Sequence, residues 1–366
     1  MTYFTCAVFS VLLLFLPRIN KVRDISDGKT LSGRQYYNFV FLVLLFFWTF
    51  LIGLQYEVGT DYNSYKVAFT SLKGRYENKG ELLFHYLTIF VSKNLHYQFG
   101  FIICAFLQFL CFFLFLKKIK LTHNYLFIFL FFFACVAFYN QTNLVRQYTS
   151  AYLILLAWWF AYKRELIRYI ILVAMAGMFH VSAWMCLPIY FFTKIKLSER
   201  WLFAALFVSV SASFINIDKV LNMIIPYTHK GYLMYLTHEA KSLSIINWVS
   251  KLIFIPFYFL SLLSFKHLCQ KDKFFFCWGF VSYCIVIIGL TSFVLHRMAV
   301  YFSVLSIFPL YYLLAYLLRS SRIAKTNRMA ILFIFVSIMV SMLFTKTVLF
   351  PGDGEYAYKS IFSQYF

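Results

Sequence analysis

Carboxylates are scarce in this chain: 13 Asp and Glu stand against 34 Lys and Arg in 366 residues, a net charge of +21. In a soluble protein that imbalance would point to nucleic acid. Here charged residues make up only 13% of the sequence and apolar ones 62%, so the chain could not stay soluble as a monomer, and no nucleic-acid partner is expected. The eight cysteines (Cys6, Cys104, Cys111, Cys135, Cys186, Cys269, Cys277 and Cys284) form no CxxC pair and sit mostly inside apolar runs. They read as small buried hydrophobes. No His/Cys/Asp cluster has metal-ligand spacing, and there is no glycine-rich phosphate loop or Gly-x-Ser-x-Gly elbow. Neither a metal nor a cofactor is expected. No internal repeat is visible.

What the chain has is hydrophobic length. Apolar runs approach or pass the roughly 20 residues that cross a bilayer, unlike the ~10-residue alternating segments of a barrel. The fold class expected is an all-α polytopic membrane protein with about 10–12 transmembrane helices, one of them a broken or re-entrant hairpin. Residues 1–366 are expected to form a single integral membrane domain whose outer-side loops, near 55–97 and 215–244, form a cavity. Lys and Arg collect in short connections, where they meet lipid head groups and set orientation.

The first run, Tyr3 to Leu16, carries its positive charge after the apolar core. This argues for an uncleaved helix with its N-terminus outside. Tyr36 to Leu54 then leads to the longest non-spanning segment, which holds Glu57, Asp61, Glu77 and Glu81. Gly59-Thr60-Asp61 reads as a turn and helix start with Asp61 near the N-cap, and capping alone would account for Asp61. Leu82 to Val91 is too short to span. Phe99–Leu116 and Tyr125–Phe138 are joined by an inner loop bearing Lys117, Lys118 and Lys120.

The polar run Asn140 to Gln147 follows on the outer side. A helix beginning near Asn143 would place Asn143, Arg146, Gln147 and Ser150 on one face. An ionisable group among hydrogen-bonding neighbours at a membrane-helix end marks a functional site by default. The competing reading of Arg146 is an interfacial arginine reaching lipid phosphates. Read as one span, Tyr169–Phe192 would put Lys194, Lys196 and Arg200 outside. A hairpin broken near Ala176–His180 returns the chain inside, and 21 of the 34 basic residues then fall in inner loops. His180 sits at its turn, where a lone histidine is otherwise a packed core residue. Trp201–Phe214 precedes the second outer segment, and the last spans are Ile245–Phe265, Phe274–Phe293, Met298–Leu318 and Met329–Phe350. His296 and Arg297 lie between two of these on the outer side.

The outward set is thus Asp61, Glu81, Asn143, Arg146, Gln147, His180, His296 and Arg297. Arginines from different helices suit a phosphate or pyrophosphate, because the guanidinium binds oxygens bidentately and keeps its proton. A histidine suits proton acceptance near neutral pH, and carboxylates suit sugar hydroxyls.

The order Gly59-Thr60-Asp61-Tyr62 with Tyr65, Glu81-Leu82-Leu83-Phe84, Asn143-Leu144-Val145-Arg146-Gln147, Phe179-His180-Val181-Ser182-Ala183 with Pro188, and Arg297 with Tyr301-Phe302 resembles the EpsG family of Wzy-like polysaccharide polymerases. Two motifs depart from the family pattern: the first acidic motif reads Gly59-Thr60-Asp61-Tyr62 here, and the Glu81 motif lacks a following proline. The resemblance implies a metal-independent glycosyltransferase in the bacterial cytoplasmic (inner) membrane, its site facing the periplasm or outside. Such an enzyme joins undecaprenyl-pyrophosphate-linked oligosaccharide repeat units for O-antigen or capsule. It implies His180, Arg146 and Arg297 as catalytic residues, with Asp61, Tyr62, Glu81, Asn143, Gln147 and His296 binding or positioning substrate. A chain-length regulator and a flippase are the protein partners that fit this role, beside the membrane lipids. The alternatives are a flippase for lipid-linked sugars, which would be expected to show internal pseudo-symmetry, an O-antigen ligase with a larger outer domain, and a membrane O-acetyltransferase.

Overall fold

A computed structural model describes residues 2–20, 33–71, 80–135, 137–214, 245–321, 323–349 and 358–364. The protein is an all-α multi-pass membrane protein, with one isolated antiparallel bridge, Gln55 to Ser360, among the described residues. Among the described residues five helices have the length and hydropathy to cross a membrane: Gln35–Gly53, Gln98–Ile119, Trp248–Phe265, Gln270–Thr291 and Lys325–Thr347. The pair Leu295–Phe302 and Leu305–Arg319 meets the same test taken together but is bent by 62°, the geometry of a broken span or a re-entrant loop. Met298–Leu318 is therefore not the straight span expected; two short 3₁₀ segments, Val300–Phe302 and Leu305–Ile307, interrupt it, and Pro309 starts the helix that follows. Four further apolar helices are shorter. The segment 215–244, expected on the outer side, lies outside the described residues.

The chain forms two compact units, Met1–Tyr190 with Met339–Phe366, and Phe191–Ile338. The first contains α1 (Thr2–Asn20), α2 (Gly33–Gly53), α3 (Tyr62–Thr70), α4 (Leu82–Asn94), α5 (Gln98–Ile119), α6 (Asn124–Phe133), α7 (Ala137–Asn140), α8 (Val145–Lys163) and α9 (Leu166–Phe179). Helices α2, α5, α8 and α9 pack in sequence, each against the next. Trp48 anchors this core: its ring meets Phe109, Phe113, Phe132 and Phe138 with centroids 5.0–5.6 Å apart. Its indole N–H donates to Ser10 Oγ at 2.9 Å, so the one polar atom that burial would leave unpaired is satisfied. Both α5 and α8 end on a basic residue in the left-handed region, Lys120 (φ 51°) and Arg164 (φ 61°). A side chain there costs about 1–2 kcal/mol, offset in part by positive charge at the helix C-terminus.

Helix α9 has 14 residues, a rise of about 21 Å, short of the roughly 30 Å hydrocarbon core. It stops at His180, whose backbone is extended (φ −152°, ψ 116°), and a 3₁₀ helix, Val181–Cys186, follows. The chain then turns back along α9. Tyr169 Oη donates to the Cys186 carbonyl at 2.6 Å, and the Tyr169 and Tyr190 rings lie 5.2 Å apart. Gly177 permits the return: a Cβ there would stand 2.5 Å from the Trp184 ring. The segment is a hairpin, as the charge pattern required.

In the second unit, Glu199–Ala212 packs on Gln270–Ile288, and Ile255–Phe265 packs on Phe308–Arg319. Tyr258 and Tyr283 stack at 3.4 Å, Tyr258 Oη donates to the Ser306 carbonyl, and Tyr312 Oη donates to Asp272. Of the eight cysteines only Cys269 is exposed.

Candidate active site

The first unit brings three of the candidate residues into direct contact. Glu81 precedes α4, Arg146 stands in the first turn of α8, and His180 ends α9. One carboxylate serves both partners: Glu81 Oε2 pairs with Arg146 Nη1, while Glu81 Oε1 lies 2.6 Å from His180 Nδ1. The Val181 amide also points at Oε1, at 3.4 Å. Glu81 is 1% exposed, against 16% for Arg146 and 17% for His180. The carboxylate is therefore the buried keystone, and the imidazole and the guanidinium are the parts that solvent can reach. The Arg146 guanidinium lies over the Phe84 and Tyr65 rings, 5.4 and 5.9 Å from their centroids, which restricts it further.

Burial opposes ionisation of Glu81. The His180 hydrogen bond, the charges of Arg146 and His180 and the Val181 amide outweigh it and hold the carboxyl below its ordinary value of 4.5. Because the folded-state value is the lower one, this stabilisation is complete above pH 4.5 and is lost as pH falls through the folded value. The melting temperature in detergent is expected to drop on acidification below pH 4.5, with a shallower drop in Glu81→Gln; equal slopes for the two proteins would contradict this.

Two expectations are corrected. Helix α8 begins at Val145, so Asn143 is not on its face. The amides of Asn143 and Leu144 both bond the Asn140 carbonyl, closing a turn that delays the helix by two residues. Asp61 does occupy the N-cap of α3, but its side chain makes no cap hydrogen bond. Instead its backbone N–H donates to Asn143 Oδ1 at 2.8 Å, and the Thr60 hydroxyl donates to the same oxygen at 3.3 Å. Asn143 thus latches the loop 59–61 to the head of α8. Gln147 is buried beside Arg146, and Tyr62 is buried with its ring stacked on Phe101 at 5.1 Å. His296 and Arg297 are half-buried in the second unit, on the short helix Phe293–Ala299, which packs on Gly289–Thr291. Among the described residues no group of three or more His, Cys, Asp or Glu could hold a metal ion.

The EpsG family model matches residues 38–360. The chain belongs to the EpsG family. No curated protein and no solved structure matches it. In this EpsG-family chain the backbone around the Arg146 turn and at the end of α2 is held by side chains that no motif singles out. Gln55 Nε2 donates to the Thr142 carbonyl at 3.0 Å, Gln98 Nε2 to the Gly53 and Gln55 carbonyls, and Gln108 Nε2 to Val145 and Thr149. A signal existed: buried amides in or beside apolar helices must bond something. Ser150 Oγ likewise donates to the Ala176 carbonyl at 2.6 Å, tying α8 to the last turn before His180.

Gly59 has φ 79°, and a Cβ there would lie 2.7 Å from Asn143 Oδ1. Gly59→Ala is expected to cost about 2 kcal/mol or more, from the left-handed backbone plus displacement of the Asn143 latch. Thermal unfolding in detergent checks this, and an unchanged midpoint would show the latch to be slack.

Proposed function

We propose that this EpsG-family chain is a Wzy-like polysaccharide polymerase. It would join undecaprenyl-pyrophosphate-linked repeat units at the outer face of the cytoplasmic membrane, for O-antigen or capsule. The observation that carries the reading is the single buried carboxylate that holds a histidine and an arginine side by side. With Nδ1–H donating to Glu81, the lone pair of His180 is on Nε2, which takes the proton of the acceptor hydroxyl. That oxygen then forms a bond to the anomeric carbon of the donor glycan. The bond from that carbon to the pyrophosphate oxygen breaks, and undecaprenyl pyrophosphate leaves with the electron pair. Arg146 stabilises the charge that grows on the leaving group. The family resemblance implies roles in the reaction for Arg297 and in substrate binding for His296, both in the second unit. Asp61, Tyr62 and Gln147 are assigned to sugar binding or support, and Asn143 to holding the Asp61 loop.

The test is incubation of purified protein with lipid-linked repeat units, followed by gel separation. A ladder from the wild type that Arg146→Ala abolishes supports the reading. No ladder on intact substrate would favour transport of the same glycolipid, and trapping of repeat units on the inner leaflet in cells lacking the chain would settle for a flippase.

A further inference from the structure

Apart from the Glu81 centre, three segments of the first unit bring a group of polar and aromatic side chains together. Tyr56 and Glu57 follow α2, Tyr62 and Lys66 lie on α3, and His96 and Tyr97 precede α5. The Tyr56 ring meets Tyr62 edge-on at 5.8 Å, and the Glu57 carboxylate lies close to both phenols. The Tyr97 phenol is a neighbour of the buried Tyr62 hydroxyl, with no hydrogen bond between them. Lys66 Nζ stands 5.1 Å from the Tyr97 ring centroid, and the His96 ring lies 4.3 Å from the same ring. Tyr62 is the buried floor of the group. Glu57 and His96 are exposed, and Tyr56, Lys66 and Tyr97 are half-exposed.

Two features distinguish this group from an ordinary surface. Glu57 has φ 50°, a left-handed conformation that costs a residue with a Cβ about 1–2 kcal/mol and that tends to persist where a ligand site requires it. The backbone carrying it is also fastened on three sides. Tyr56 N–H donates to the Lys359 carbonyl and Ile361 N–H to the Leu54 carbonyl, so residues of the C-terminal segment hold the loop from one side. Gln98 holds it from α5, and Gln55 ties it to Thr142. The same loop is latched at its far end, Asp61, to Asn143, three residues before Arg146.

The chemistry selects the ligand. One carboxylate and one ammonium leave the patch nearly neutral, unlike a phosphate site, which collects arginines. A carboxylate only accepts hydrogen bonds, an ammonium only donates, and phenols and imidazole can do both. That mixture matches the hydroxyls of a sugar, while the ring edges and faces offer apolar surface to its C–H bonds. We propose that Tyr56, Glu57, Lys66, His96 and Tyr97, floored by Tyr62, form a saccharide subsite that binds sugar rings of the lipid-linked repeat unit. The proposal rests on the polymerase reading for the identity of its glycan.

The probe is the glycolipid that accumulates in cells lacking this chain, and the oligosaccharide released from it by mild acid. Binding of the released oligosaccharide to full-length protein in detergent is followed by saturation-transfer NMR, and polymerisation by initial rates against glycolipid concentration. Glu57→Gly removes the carboxylate while suiting the backbone, so it folds at least as well as the parent. Tyr97→Ala removes a ring. Each is expected to raise KM at least about tenfold, the effect of one lost charge-assisted hydrogen bond or ring contact, to leave kcat within about threefold, and to weaken the NMR signal. Unchanged KM and unchanged binding in both variants would overturn the subsite while leaving the polymerase intact. Equal losses in kcat and kcat/KM would also overturn it, since an unchanged KM means that no ground-state sugar binding was lost. Binding of the oligosaccharide by a wild type that makes no polymer, lost in Glu57→Gly, would uphold the subsite and overturn the polymerase.

Discussion

Glu81→Gln is expected to lower polymer formation by about 10²- to 10⁴-fold, the range for disabling a general base or presenting its wrong tautomer, although glutamine fills the same space. The buried carboxylate is what fixes the Nδ1–H tautomer of His180 and offsets the charge of Arg146. An amide can accept one hydrogen bond in its place but carries no charge, so Arg146 is left partly buried without its counter-ion. Removing one partner of a buried pair costs about 3–5 kcal/mol, and the partial exposure of Arg146 places this case at the lower end. Two readouts separate the effects. Gel-resolved polymer yield follows the chemistry, and thermal unfolding in detergent follows the fold. A variant with a lower melting temperature and full activity would show Glu81 to be an anchor alone.

His180→Asn is expected to lose polymerisation by about 10²- to 10⁴-fold while keeping its fold. The asparagine amide can stand where Nδ1 stands and donate to Glu81 Oε1, so the carboxylate keeps both neighbours. What disappears is the second ring nitrogen, the proton acceptor of the proposed mechanism. Glycolipid binding should persist near the wild-type value, because Arg146 and the surrounding loop are untouched. If the asparagine variant still polymerised at the wild-type rate, the acceptor hydroxyl would be deprotonated by another group, and His180 would belong to the packing of the hairpin turn. The contrast between this variant and Glu81→Gln is informative in itself: the first removes the base and spares the support, and the second does the reverse.

Much of the architecture can be read from local sequence. Helical spans follow from apolar runs, and the hairpin at 169–192 follows from where Lys194, Lys196 and Arg200 must lie. Helix α8 was legible as an element but not in its first residue, because the turn closed on the Asn140 carbonyl depends on backbone bonds that residue type does not reveal. Met298–Leu318 was legible as an apolar length but not as a bent pair, since each half is apolar whether or not the axis is continuous. For the candidate site, His180 and Arg146 stood out because histidine and arginine are costly in apolar surroundings. Asn143 stood out for its amide, yet its use as a latch needed Gly59 and Asp61 brought beside it across more than 80 residues.

Composition and periodicity by themselves determined that this protein is an all-α membrane protein with polar residues concentrated at a few helix ends. Those properties are local: each depends on a residue and the neighbours within a turn or a span. The tertiary structure alone decided that Glu81 is shared. It lies 65 residues from Arg146 and 99 from His180, and nothing in its own surroundings distinguishes a capping carboxylate from one that joins two helices. The packing of α4, α8 and α9 makes that choice, because once the three ends are driven together a buried carboxylate must find every partner within reach.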